Sequence, residues 1–177
     1  MGTPDDGSRR GDFETLVVEV ADPVRRYLRR RTDHATADDV LAETLIVLWR
    51  RFDDVPESAV AWAIGVARLQ LANALRAQRR QARVARRIGE TVTPPAADDG
   101  TAEAVRSSLA PLRAADAEIL RLWAWEGFEP AQIATALGIS ANAAAVRLHR
   151  ARRRFAEQFG KDSADSGQLF ANERTNG

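Results

Sequence analysis

Apolar residues recur at three- and four-residue intervals along most of this chain, and the alternation expected of half-buried strands does not appear. Phe13, Leu16, Val17, Val20, Val24, Tyr27 and Leu28 predict a first amphipathic helix from Asp12, with Pro23 as a place to kink or divide it. Leu41, Leu45, Leu48 and Phe52 predict a second, opened by Thr36 and Asp39 in a capping-box spacing. Ile64, Ala67, Leu71 and Leu75 predict a third, running from about Val60 into the eighties. Residues 89 to 103 break the pattern with Pro, Gly and acids, which marks a linker and a domain boundary. Helical material resumes at Ala104 to Leu109, then through Ala117, Leu120, Leu122 and Trp123 to Gly127, with Phe128 in the turn that follows.

The next stretch, from Pro130 to Phe159, has the most specific pattern. Pro130 suits a first helical position, and Ile133, Ala134 and Leu137 keep core spacing. Gly138 then ends the helix where a left-handed residue is needed, Ile139 plugs the turn, and Ser140 caps a new helix. That is a helix-turn-helix pattern. At 100° per residue, Ala141, Ala144, Leu148, Ala151, Phe155 and Phe159 form an inward stripe. Ala143, Val146, Arg147, Arg150 and Arg154 lie opposite. An arginine face neutralises phosphates and reads guanine edges, although arginines near a helix C-terminus also arise without any ligand.

Charge sharpens this picture. The sum over 26 basic and 25 acidic residues is +1, but the signs are segregated. Residues 68 to 87 hold seven arginines and no acid, and residues 141 to 159 hold five arginines and one acid, Glu157. Two separate basic helices suggest two contacts with nucleic acid. On the second helix Asp39, Glu43, Ile46 and Arg50 point away from the core stripe, either as a docking surface or as an ordinary solvated face. On the third, Trp62, Val66, Leu69, Asn73, Arg76 and Arg80 share a side that begins aromatic and ends basic. Such a side holds unstacked bases and phosphates, or else its apolar members pack on the first helix.

Other chemistries are poorly supported. With no cysteine there is no disulfide, thiolate zinc site or thiol switch. His34 and His149 are far apart, and an enzyme using His34, Asp38, Asp39 and Glu43 as a metal site lacks a second ligand helix. No apolar run spans a membrane, and MGTPDDGSRRGD has no signal-peptide core, so a cytoplasmic protein without membrane contact is expected.

Three stretches carry a resemblance: ADDVLAETLIVLWRRFD, AWAIGVARLQLANALRAQRR and WEGFEPAQIATALGISANAAAVRLHRARRRF. In this order and spacing the chain resembles the extracytoplasmic-function (ECF) class of bacterial RNA polymerase sigma factors, in the sigma-70 family. The resemblance covers about residues 12 to 160. It implies an all-α protein of two small helical domains joined by a flexible acidic linker. A disordered N-terminus (1–11) would precede region 2 (12–81), the linker (82–103), region 4 with its helix-turn-helix (104–160) and a mobile tail (161–177). It implies core-polymerase docking through Asp38, Asp39, Glu43, Ile46 and Arg50. Binding of the −10 element would fall to Trp62, Leu69, Asn73, Arg76 and Arg80. The −35 element would be read by Asn142, Ala143, Val146 and Arg147, with Arg150, Arg153 and Arg154 nearer phosphates. The implied partners are core RNA polymerase, promoter DNA and an anti-sigma factor, and neither catalysis nor a cofactor or metal is implied. The family often has asparagine at the position of Leu69, aspartate at Asn73, and Thr and Val at Ala143 and Ala144. Loss of that hydroxyl shifts discrimination onto Arg147 and its neighbours. The competing function is a free-standing helix-turn-helix regulator, which has no need of an acidic docking face.

Overall fold

The computed structural model describes residues 6–88 and 114–172, and all of the secondary structure there is helical. The expected linker from 89 to 103, the helical stretch Ala104 to Leu109 and the side chains of Phe159, Leu169 and Phe170 lie outside the described residues. Helices α1 (Asp6–Arg29), α2 (His34–Arg50) and α3 (Ala59–Ile88) pack on one another, with a 3₁₀ turn at Phe52–Asp54 between the last two. Helices α4 (Ala114–Glu126), α5 (Pro130–Leu137) and α6 (Ala141–Asn172) form a second group.

The core follows the helical stripes. Leu16, Val20, Val24, Tyr27 and Leu28 of α1 meet Leu41 and Leu48 of α2 and Ile64, Ala67 and Leu71 of α3, all buried. Each large side chain removed from water in this way stabilises the fold by about 1.5–3 kcal/mol. Several boundaries differ from expectation. α1 starts at Asp6, inside the stretch expected to be disordered, because Arg9 has partners: it pairs with Asp53 at 3.2 Å and lies over Trp49 and Phe52. Phe13 meets the edge of Trp49 in the same cluster, which anchors the turn before α3. Pro23 does not divide α1, because Val20 and Val24 on either side of it are fully buried and hold the helix in place. α2 is capped by Asp33 rather than Thr36. Asp33 Oδ1 accepts from the Thr36 N–H at 3.0 Å, and Thr36 is buried with its hydroxyl accepting from Gln78. α3 continues past residue 81 to Ile88, and α6 continues past residue 160 to Asn172.

The two groups of helices are in contact. α5 lies on α3, closely enough that a Cβ added at Gly65 would stand 2.9 Å from the Ala136 carbonyl oxygen. Small residues at a crossing let backbones approach, which explains why Ala136, outside the expected core stripe, is buried.

Candidate nucleic-acid and partner-docking interfaces

The helix-turn-helix forms from its local signals. Glu129 precedes α5, and its N–H donates to Gln132 Oε1 at 3.0 Å. Gly138 adopts φ +65°, a left-handed conformation that a β-carbon makes costly, and its N–H turns back to the end of α5. Ser140 Oγ accepts from the Ala143 N–H at 3.2 Å and starts α6. Ala144, Leu148 and Ala151 are buried against the rest of this group and Phe155 is half-buried. Ala141, expected in that stripe, is exposed: burial along α6 begins only at Ala144, one turn in from the Ser140 cap.

The opposite side of α6 is open. Asn142, Val146, Arg147, Arg150, Arg153 and Arg154 are exposed, Ala143 half-buried, and Val146 keeps 40% of its surface in contact with solvent. The seven candidates for reading the −35 element therefore share one accessible side of a helix, but their charges are not equally free. Arg154 is held by Asp116 in the first turn of α4 at 2.5 Å, and Arg153 pairs with Glu157 at 3.1 Å. Arg147 and Arg150 form no ion pair among the described residues. Beside this side, Arg152 lies 4.6 Å over the ring of Trp123, which is 39% exposed. This cation–aromatic pair is invisible to helical periodicity, because it joins α4 to α6.

On α3 the five residues assigned to the −10 element also share a side, with a graded environment. Trp62 is half-buried, covered by the Arg51 guanidinium at 5.3 Å, so the alternative of packing within the protein applies to part of that ring. Leu69 is 56% exposed, and Asn73, Arg76 and Arg80 are exposed as well. Arg76 donates to Asn73 Oδ1 at 2.6 Å, which orients the amide and the guanidinium together. An exposed leucine between an aromatic ring and two cations offers an apolar step for an unstacked base, with phosphate attraction alongside.

α2 presents Asp38, Asp39, Glu43, Ile46 and Arg50 to solvent. Next to Asp38 a groove of about 750 Å³ runs between α1 and α2, with an apolar floor of Leu41 and Leu45 and a wall of Arg25, Arg26 and Arg29. The sequence places those arginines at a helix end. Only the antiparallel packing of α1 on α2 places them across a groove from Asp38. His34 and His149 are exposed and separate, and no three His, Asp or Glu side chains cluster as metal ligands among the described residues. Among those residues no helix is long and apolar enough to cross a membrane.

Comparison with known proteins places these surfaces in context. The family described as Sigma-70 region 2 matches residues 16–81, and that described as Sigma-70, region 4 matches residues 102–155. The ECF RNA polymerase sigma factor SigL of Mycobacterium tuberculosis is 34% identical over 154 residues, covering 80% of this chain and 85% of that relative. Among solved structures, CnrH in complex with the cytosolic domain of CnrY aligns with a TM-score of 0.60 at 23% identity, over 86% of this chain and 90% of CnrH. RpoE from Bartonella quintana, in complex with the anti-sigma factor NepR, aligns with a TM-score of 0.59 at 21% identity, over 84% of this chain and 97% of RpoE.

Proposed function

Since the chain belongs to the sigma-70 family, in its ECF class, we propose that it binds core RNA polymerase, directs it to promoters through the −10 and −35 elements and helps to open the DNA. The observation that carries the assignment of surfaces is the two-sidedness of α6. A packed seam of Ala144, Leu148 and Ala151 faces inward, and Arg147 and Arg150, without an ion pair among the described residues, stand on the outside, at the point where Gly138 and Ser140 aim the helix.

In this reading α6 enters the major groove at the −35 element. Arg147 contacts base edges with Val146, Asn142 and Ala143, and Arg150 holds phosphate with Arg153 and Arg154 once these release their carboxylates. Trp62, Leu69 and Asn73 receive the displaced strand at the −10 element, while Arg76 and Arg80 hold its backbone. Stacking and phosphate contact offset the cost of unpairing, so no nucleotide hydrolysis is required. Asp38, Asp39, Glu43, Ile46 and Arg50 dock on the polymerase, an aqueous partner that places the protein in the cytoplasm. An anti-sigma factor is the further partner in this reading. The fold is shared with RpoE, which was captured with NepR.

Run-off transcription with core enzyme tests the proposal. A product that depends on both this chain and intact −10 and −35 elements is expected. DNA binding without promoter-dependent product on any selected template would leave a free-standing regulator as the correct reading.

A further inference from the structure

The connection between α2 and α3, residues 51–58, decides where α3 begins and so where Trp62 stands. Inside it, the Asp54 N–H donates to the Arg51 carbonyl at 2.9 Å and the Val55 N–H to the Phe52 carbonyl at 3.2 Å. A single 3₁₀ turn of this kind has poor hydrogen-bond geometry and opens at small cost by itself. Phe52, Val55 and Ser58 are half-buried, and the rest of the connection is exposed. It needs support from outside.

Two side chains of α1 supply that support on one flank. Phe13 meets Trp49 edge-on at 4.9 Å and Phe52 at 6.0 Å. One helical turn earlier, Arg9 lies over the same two rings at 5.6 and 5.9 Å and pairs with Asp53 at 3.2 Å. Both residues stand upstream of residue 16, where the match to Sigma-70 region 2 begins. A solvated ion pair contributes little alone, and the Asp53 side chain is 76% exposed. Arg9 holds more firmly because one flat guanidinium covers two rings and reaches a carboxylate together.

The other flank is tied to the −10 side of α3. Arg51 pairs with Asp54 at 3.0 Å, and its guanidinium covers Trp62 at 5.3 Å. Arg51 to Asp54 are consecutive, so Phe52 and Asp53 cannot leave α1 without moving Arg51 and its cover over Trp62. We infer that Arg9 and Phe13 are positioning residues for promoter opening: they clamp the turn Phe52–Asp54 against α1 and, through Arg51, preset the accessible part of Trp62 for the displaced strand. The inference rests on the function proposed above. Neither residue touches DNA; each spares strand capture the cost of ordering the site first.

The full wild-type chain is compared with Arg9→Ala, with Arg9→Lys, which keeps the pair to Asp53 and loses the flat stack, and with Phe13→Leu, which keeps apolar bulk and loses the ring edge. In the free chain, hydrogen exchange of residues 51–58 in Arg9→Ala and Phe13→Leu should be about two- to fivefold faster, the factor that an exposed cation–aromatic contact supports. With core polymerase, open complexes on a duplex template selected with the wild-type protein should fall by about the same factor, with Arg9→Lys in between. Affinity for core polymerase and for a −35 duplex should not change. A template already unpaired at the −10 element should restore the product, which a general folding defect would not allow. Unchanged exchange of residues 51–58 in either Arg9→Ala or Phe13→Leu overturns the clamp. Faster exchange with wild-type opening, or a deficit that the unpaired template does not repair, overturns the positioning role. Because exchange is read without polymerase or DNA, a wild-type chain that yields no promoter-dependent product would refute the sigma reading and leave the clamp to be judged on its own data.

Discussion

Arg147 and Arg154 stand on the same exposed side of α6, and the structure predicts that removing them has different consequences. Arg147 has no ion-pair partner among the described residues, whereas Arg154 is held by Asp116 at 2.5 Å while remaining 45% exposed. Arg147→Ala therefore breaks no ion pair among the described residues, and the stability of the folded chain should stay within about 0.5 kcal/mol of wild type. The penalty falls on DNA binding: about 1–3 kcal/mol, or about 5- to 150-fold in affinity for a −35 duplex, with relaxed preference at one base position. Arg154 reaches phosphate only by leaving a carboxylate, so one charge-assisted bond replaces another and the net gain is smaller. Arg154→Ala should lower stability by no more than about 1 kcal/mol, because the pair is partly solvated, and should weaken all duplexes alike. Fluorescence anisotropy with a labelled duplex, titrated from about 50 to about 200 mM salt, separates the two, since an arginine that neutralises one phosphate contributes about 0.9 to the salt slope and its removal takes that amount away. If Arg154→Ala relaxes base preference while Arg147→Ala leaves affinity and preference unchanged, the orientation assigned to α6 is wrong.

Two further outcomes are expected. Asp39 and Glu43 are exposed, so reversing both to lysine should leave unfolding within about 0.5 kcal/mol per site of wild type and reduce the amount of core polymerase retained in a pull-down; full retention would remove the docking face from α2. The Thr36 N–H, which donates to the Asp33 carboxylate, is the main cause that holds its pKa below the ordinary carboxylate range. A lowered folded-state pKa adds stability above the unfolded value that is lost as pH falls through the folded one. The urea midpoint should therefore drop on acidification below about pH 4, and Asp33→Asn, which keeps an acceptor for the cap, should flatten that portion of the profile. An identical profile in the variant would assign the acid sensitivity elsewhere.

Much of the candidate surface was legible because its causes are local. Gly138, Ser140 and the spacing of Ala144, Leu148 and Ala151 lie within four helical turns, and periodicity together with capping chemistry decides which side of α6 faces inward. The outward placement of Glu43, Ile46, Asn73 and Arg147 follows from the same arithmetic. Local reading failed where a second element competes. Asp33 took the cap from Thr36, because its carboxylate accepts from both the Thr36 N–H and the Thr36 hydroxyl, while Gln78 of α3 donates to that hydroxyl. Arg154 and Trp123 acquired partners on a different helix.

The sequence by itself determined the helices, their inward stripes, the turn between α5 and α6 and the segregation of charge, since each depends on residues a few positions apart. Only the tertiary structure decided that Tyr27 meets Glu118, that Arg30 meets Glu126 and that Gly65 lies against Ala136. Those pairs are separated by about seventy to a hundred residues, and no periodicity carries information across such a distance. Their meeting depends on which faces remain after each group has filled its own core, a property of the packed whole.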